Sequence, residues 1–93
     1  MMPLADFRVL VSHRAEKGLG GSEGKMRQRI REILRILQTN PVPAKVCDVT
    51  KISESDSNYR IRISGYRILY CVLWEQKTVK VYDIDRRKGR TYK

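Results

Sequence analysis

Residues 59–70 read YRIRISGYRILY, and the fold follows from how this stretch is read. Strict alternation puts Tyr59, Ile61 and Ile63 on one side of a strand, with Arg60 and Arg62 on the other. Ser64-Gly65 is a two-residue hairpin signal. Such a turn predicts a register in which Ile63 opposes Tyr66, Arg62 opposes Arg67, Ile61 opposes Ile68 and Tyr59 opposes Tyr70. One face of the hairpin is then apolar or aromatic, while the other gathers the guanidiniums of Arg60, Arg62 and Arg67. Like charges directly opposite each other cost roughly 0.2–1 kcal/mol. The plain reading is a solvated face whose long arginines splay apart in water. Local conflicts are also expected at functional sites, and a row of guanidiniums points to an anion, phosphate first.

The whole chain has 93 residues, enough for a single domain with one modest core. With 41% hydrophobic residues and both charge signs present, its composition is globular. No apolar run approaches the ~20 residues of a membrane span, and the opening MMPLADFRVLVSHR has no secretory pattern, so a cytoplasmic protein with no membrane partner is expected. Net charge is +10, of which residues 59–93 contribute +7. That focus favours polyanionic partners, nucleic acid before an acidic protein. Cys47 and Cys71 lack metal-ligand spacing and the chain has one histidine, His13, so neither a metal site nor a cofactor is expected. Both cysteines lie in strand-like runs and read as small buried hydrophobes; whether they are bonded stays open.

Upstream of the hairpin, residues 7–11 (FRVLV) read as a first strand ending at Ser12, a cap for a short helix through Arg14, Ala15, Glu16 and Lys17 that Gly18, Gly20 and Gly21 stop early. A second helix is expected with Ser22 as N-cap, Glu23 in its first turn and an apolar stripe of Met26, Ile30, Ile33, Leu34 and Leu37, ending at Asn40-Pro41. Its outer face carries Arg27, Arg31 and Arg35, either a solvated face or a docking strip for ribosomal RNA or an acidic partner. Residues 46–52 read as a strand. Downstream, the second hairpin strand continues through Cys71, Val72, Leu73 and Trp74, and residues 78–85 form the last strand. There Val79 and Val81, followed by Tyr82 and Ile84, break strict alternation, which predicts a bulge near Val81 or burial of both faces.

The predicted architecture is α+β: an N-terminal strand, a two-helix hairpin, then an antiparallel β-meander. The helices cover the Tyr59/Ile61/Ile68/Tyr70 face of the sheet and leave the arginine face open. Residues 86–93, RRKGRTYK, form a basic tail. A solubilising tail is the default reading, but it leaves a strand beside the arginine hairpin and can bring its charges to the same groove.

The run YRIRISGYRILYCVLWEQKTVKV, with its basic-x-basic strand, Gly-Tyr-Arg turn and Tyr70, followed by a tail ending Arg-Thr-Tyr-Lys, resembles the RelE toxins of the RelE/ParE superfamily, archaeal types above all. FRVLVSHRAEK and Asn40-Pro41-Val42-Pro43 agree more loosely. The resemblance implies one toxin domain over residues 1–93, from a type II toxin–antitoxin system: a ribosome-dependent endoribonuclease that cuts mRNA in the A site by attack of the 2′-OH on the adjacent phosphate. By motif position, Arg60, Arg62, Arg67, Arg87 and Tyr92 match the family's catalytic residues, with Arg86 and Arg90 as alternates for Arg87. Arg27, Arg31, Arg35, Lys88 and Lys93 are the expected RNA- or ribosome-binding cations. Implied partners are a cognate antitoxin, in a toxin–antitoxin hetero-oligomer, and the ribosome with its mRNA. Leu69, Cys71 and Leu73, on the arginine side, would give the antitoxin apolar contacts, or be covered by the chain itself.

Some family members carry lysines where this chain has Arg60 and Arg62. Arginine stays protonated, with a pKa above ~12, so the general base falls to Tyr92, to His13, or to no strong base at all. The alternatives are a ParE-like poison of DNA gyrase and a catalytically inactive RNA-binding homologue.

Overall fold

A computed structural model describes residues 6–52 and 57–86. The elements run β1 (Arg8–Val11), α1 (His13–Gly20), α2 (Gly24–Thr39), β2 (Asp48–Lys51), β3 (Asn58–Ile63), β4 (Tyr66–Leu73) and β5 (Thr78–Arg86). Ser64 and Gly65 form the β3–β4 turn at φ 46° and 84°, the left-handed geometry that follows strand twist in a two-residue hairpin. The register is the expected one, Arg62 opposite Arg67 included.

The five-stranded sheet has the order β1-β5-β4-β3-β2. β2 to β5 form the antiparallel meander, while β1 adds to β5 in parallel and makes the sheet mixed. The β4–β5 register shifts between Leu69 and Tyr70: Leu69 pairs with Asp83 and Tyr70 with Val81, so Tyr82 is the extra residue of a bulge. That bulge lets Val79, Val81 and Ile84 all reach the core. Of the two explanations for the broken alternation, the bulge is the correct one.

α2 lays Ile30, Ile33 and Leu37 on Ile61, Ile68, Tyr70, Val72 and the β5 residues, all buried. Each fully buried aliphatic contributes about 1.5–3 kcal/mol of transfer free energy. Tyr70 lies at the centre, wholly buried, stacked on Tyr59 at 5.7 Å between centroids. Its hydroxyl donates to the Pro41 carbonyl at 2.8 Å, which secures the chain after α2. Burial, with lesser contributions from Tyr59 and Cys47, pushes the Tyr70 phenol far above the ordinary tyrosine range.

Three local expectations are corrected. α1 does not stop at Gly18 but runs to Gly20. Gly18 is there for close approach: a Cβ would fall 1.8 Å from the Ile84 carbonyl oxygen. Ser12 caps α1 as expected, accepting from Ala15 N–H at 3.0 Å, and also donates to the Tyr82 carbonyl at 3.1 Å, tying the helix to the bulge. Ser22, in contrast, does not cap α2. Its buried hydroxyl donates to Leu19 O at the end of α1, and Glu23 takes the cap position. The strand expected over 46–52 is shorter, because the Val46 and Cys47 N–H groups turn back to the Pro43 carbonyl.

Candidate functional site on the open sheet face

Helices cover only one face of the sheet. On the other, alternation carries Arg60 and Arg62 from β3, and Arg67, Leu69, Cys71 and Leu73 from β4. Arg60, Arg62 and Arg67 are thus brought together as the hairpin reading requires. The structure adds what that reading lacked. Arg62 pairs across the sheet with Asp48 and Arg67 with Asp85, so one row runs Asp48, Arg62, Arg67, Asp85. Arg62 Nε lies 3.6 Å from Asp48 Oδ2, and Arg67 Nη2 lies 3.6 Å from Asp85 Oδ2. Each member of the like-charge pair thus has an outer carboxylate, which relieves the conflict. Asp48 and Asp85 were legible only with the register of the neighbouring strands, which fixes them opposite Arg62 and Arg67.

The next row holds Thr50, Arg60, Leu69 and Asp83. Asp83 is engaged by Arg14 of α1 at 3.3 Å. The Nε atoms of Arg60 and Arg67 are shielded from solvent and make no hydrogen bond in the structure. A buried donor without an acceptor is costly. Capacity for an anion on this face therefore rests on the exposed parts of the guanidiniums, the Arg62 side chain being 59% and the Arg67 side chain 30% exposed.

Arg86 does not join this face. It pairs with Tyr66, whose side chain points to the helices; its guanidinium lies over the Tyr66 ring at 5.9 Å and 3.9 Å from Glu23 Oε2. Arg86, the alternate for Arg87, thus bridges the end of β5 and the start of α2. Arg87, Lys88, Arg90, Tyr92 and Lys93 lie outside the described residues.

The α2 arginines are also apart from the arginine face. Arg27 turns inward, its Nη2 donating to Ser22 O at 2.8 Å and Gly20 O at 3.2 Å and its Nε to Leu19 O at 3.3 Å. It closes the C-terminal carbonyls of α1, a structural use of a side chain expected in the docking strip. Arg31 and Arg35 are exposed and line a groove of about 280 Å³ with Val9, Val11, Leu34 and Gln38. His13 is the exposed first residue of α1. Cys47 and Cys71 are unpaired and half-buried, with burial raising the Cys47 thiol. Tyr82 is raised too, by burial first and then by Cys71 and Asp83.

The family profile describing the ParE toxin of the type II toxin–antitoxin system parDE matches residues 4–90. The chain belongs to the RelE/ParE toxins. A Methanocaldococcus jannaschii relative carrying the name toxin RelE1 is 32% identical to this toxin over 83 residues, spanning 89% of this chain and 92% of that one. The toxin also superposes on the archaeal RelE–RelB complex of Pyrococcus horikoshii OT3 with a TM-score of 0.81 and 31% identity, covering 91% of this chain and 98% of that one. For the RelB–RelE antitoxin–toxin complex of Methanococcus jannaschii the TM-score is 0.71 at 26% identity, over 83% and 88% of the two chains. The α+β fold of two helices and a five-stranded mixed sheet is that of RelE toxins. Among the described residues no helix is long and apolar enough to cross a membrane.

Proposed function

We propose that this type II toxin is a ribosome-dependent endoribonuclease that arrests translation by cutting mRNA in the A site. The observation that supports this most is the open face itself: Arg60, Arg62 and Arg67 side by side, two with shielded, unpartnered Nε atoms. In the proposed reaction the ribose 2′-oxygen bonds to the adjacent phosphorus and the bond to the 5′ oxygen breaks. The products are a 2′,3′-cyclic phosphate and a 5′-OH. The phosphorane gains charge on its non-bridging oxygens, which guanidiniums stabilise through charge-assisted, bidentate hydrogen bonds. Arg67 takes that role first, with Arg62 beside it and Arg60 along the same strand.

From the tail, Arg87 or Arg90 neutralises the departing 5′ oxygen, and Tyr92 stacks on or orients a base and is the chain's candidate to accept the 2′-OH proton. A guanidinium is no general base, so the arginines of the face supply cations only. A face whose phosphate contacts are all guanidiniums binds phosphate without imposing in-line geometry, so the ribosome must supply the alignment. That accounts for a requirement for ribosomes rather than free RNA. The site uses neither metal nor cofactor.

The same reading gives the toxin a cognate antitoxin, as in the RelE–RelB complexes it resembles. Leu69, Cys71 and Leu73 on the open face, with exposed Leu10 and Tyr82 nearby, offer that partner apolar contacts beside the cations. The toxin is expected to act in the cytoplasm, where ribosomes are.

The matching profile carries the ParE name, which favours gyrase poisoning as the second reading. Arg67→Ala separates them. Loss of one transition-state donor is expected to slow ribosome-dependent cleavage by roughly 10²–10³-fold, with the fold intact because Arg67 faces away from the core. Unimpaired cleavage by the variant, or inhibition of gyrase supercoiling in place of mRNA cleavage, would overturn the reading.

A further inference from the structure

The arginine row is closed at both ends by carboxylates: Asp48 beyond Arg62 and Asp85 beyond Arg67. Both contacts are 3.6 Å, longer than the ~2.7–2.9 Å of a charge-assisted hydrogen bond. The carboxylates therefore attract the guanidiniums without saturating them. Asp85 approaches Arg67 at Nη2, while Arg67 Nε is shielded and unpartnered. The Arg67 side chain is nevertheless 30% exposed, so a second anion reaches its guanidinium from the solvent side and not at Nε. Asp48 and Asp85 side chains are 60% and 50% exposed, so neither is fixed by burial. A phosphate seated between Arg62 and Arg67 comes close to both carboxylates and must outweigh their repulsion.

Resting on the reading of this face as an RNA-phosphate site, we infer that Asp85, with Asp48, is an internal counter-ion that limits the arginines' affinity for phosphate. These aspartates are specificity-determining residues. A loosely presented phosphodiester, reaching one guanidinium at a time, competes poorly with a carboxylate already in place. A strand held so that one phosphate accepts from Arg62 and Arg67 together displaces it. The effect is to keep a chain of net charge +10 from binding RNA indiscriminately, and to reserve the arginine row for RNA in aligned geometry.

The test is binding of a fluorescent 2′-O-methyl RNA oligonucleotide, which cannot be cleaved, by anisotropy over a series of salt concentrations. Wild type, Asp85→Asn, Arg67→Ala and the double variant are compared, each checked for an unchanged thermal midpoint. Removing an exposed-pair partner is expected to tighten Asp85→Asn binding about three- to fivefold at low salt. The slope of log K against log salt steepens by about 0.7, the value for one more phosphate contact on a single strand. Neither change appears when Asp85→Asn is made in the Arg67→Ala background. Equal tightening in that background would mean a general charge effect and overturn the inference. So would unchanged binding by Asp85→Asn where Arg67→Ala weakens it, which leaves the RNA reading standing. If wild type and Arg67→Ala bind alike or not at all, the face is no RNA site, and the inference falls with that reading.

Discussion

Gly18→Ala is expected to loosen α1 from β5, because the added Cβ would lie 1.8 Å from the Ile84 carbonyl oxygen and 2.8 Å from its carbon. Both are backbone atoms of a central core strand, so neither can swing aside. Restoring ordinary contact near 3.4 Å requires α1 to withdraw by roughly 1.6 Å along that direction. The withdrawal stretches the Ser12 bonds to Val81 and Tyr82 and opens the packing around Ala15, which is wholly buried. Overpacking costs about 1–3 kcal/mol and occasionally more, and a 1.8 Å approach to backbone belongs at or above ~3 kcal/mol. Helix propensity returns about 1 kcal/mol, leaving a net loss of roughly 2 kcal/mol or more. For a domain of this size that is a fall of about 8–16 °C in thermal midpoint. Gly20 gives the internal control, in the same helix but with nothing within 4 Å of an added Cβ. Gly20→Ala is expected to stabilise by about 0.5–1 kcal/mol. Thermal and urea unfolding followed by circular dichroism measure both. Gly18→Ala as stable as wild type would refute the close approach, and with it the account of why this helix runs through its glycines.

Other expectations follow from single contacts. Tyr70→Phe strands the Pro41 carbonyl and is expected to cost about 1–3 kcal/mol in urea unfolding. Because burial keeps the Tyr70 phenol protonated in the folded state, the unfolded chain loses that proton first once pH passes ~10. The native state then holds more protons, so stability falls as pH rises through that region, and Tyr70→Phe flattens the alkaline loss. A 295 nm titration should show Tyr70 ionising only with unfolding. Arg27→Ala removes a donor from three carbonyls at the end of α1 and the turn after it, of which Leu19 O keeps the Ser22 hydroxyl, with an expected loss of about 1–3 kcal/mol; Arg31→Ala, on the exposed side of α2, should be near neutral in the same unfolding experiment. Arg86→Ala removes an exposed ion pair worth at most about 1 kcal/mol and is expected to spare the cleavage step, which a single-turnover assay on ribosomes would show.

The hairpin was legible to the register because period-two alternation and a two-residue turn leave one pairing that keeps Ile61, Ile68 and Tyr70 inside. The bulge was legible as a fault in the same period: Val79, Val81 and Ile84 cannot share a face without an extra residue. What escaped depends on parts of the chain distant in sequence. Parallel docking of β1 on β5 joins Arg8 to Thr78, a pairing no local pattern announces. Gly18 reads locally as a helix stop, yet its reason lies in Ile84. Arg27 sits at helical spacing with Arg31 and Arg35, but the carbonyls that claim it belong to the previous helix. Asp48 and Asp85 look like ordinary surface acids until the neighbouring strands place them opposite Arg62 and Arg67.

The most direct measurement adds the purified toxin to programmed ribosomes holding mRNA with an empty A site and maps new 5′ ends by primer extension, beside free RNA and the Arg67→Ala variant. The account predicts cuts within the A-site codon that are absent from free RNA and lost with the variant. Intact mRNA at full ribosome occupancy, or equal cutting by Arg67→Ala, would contradict it.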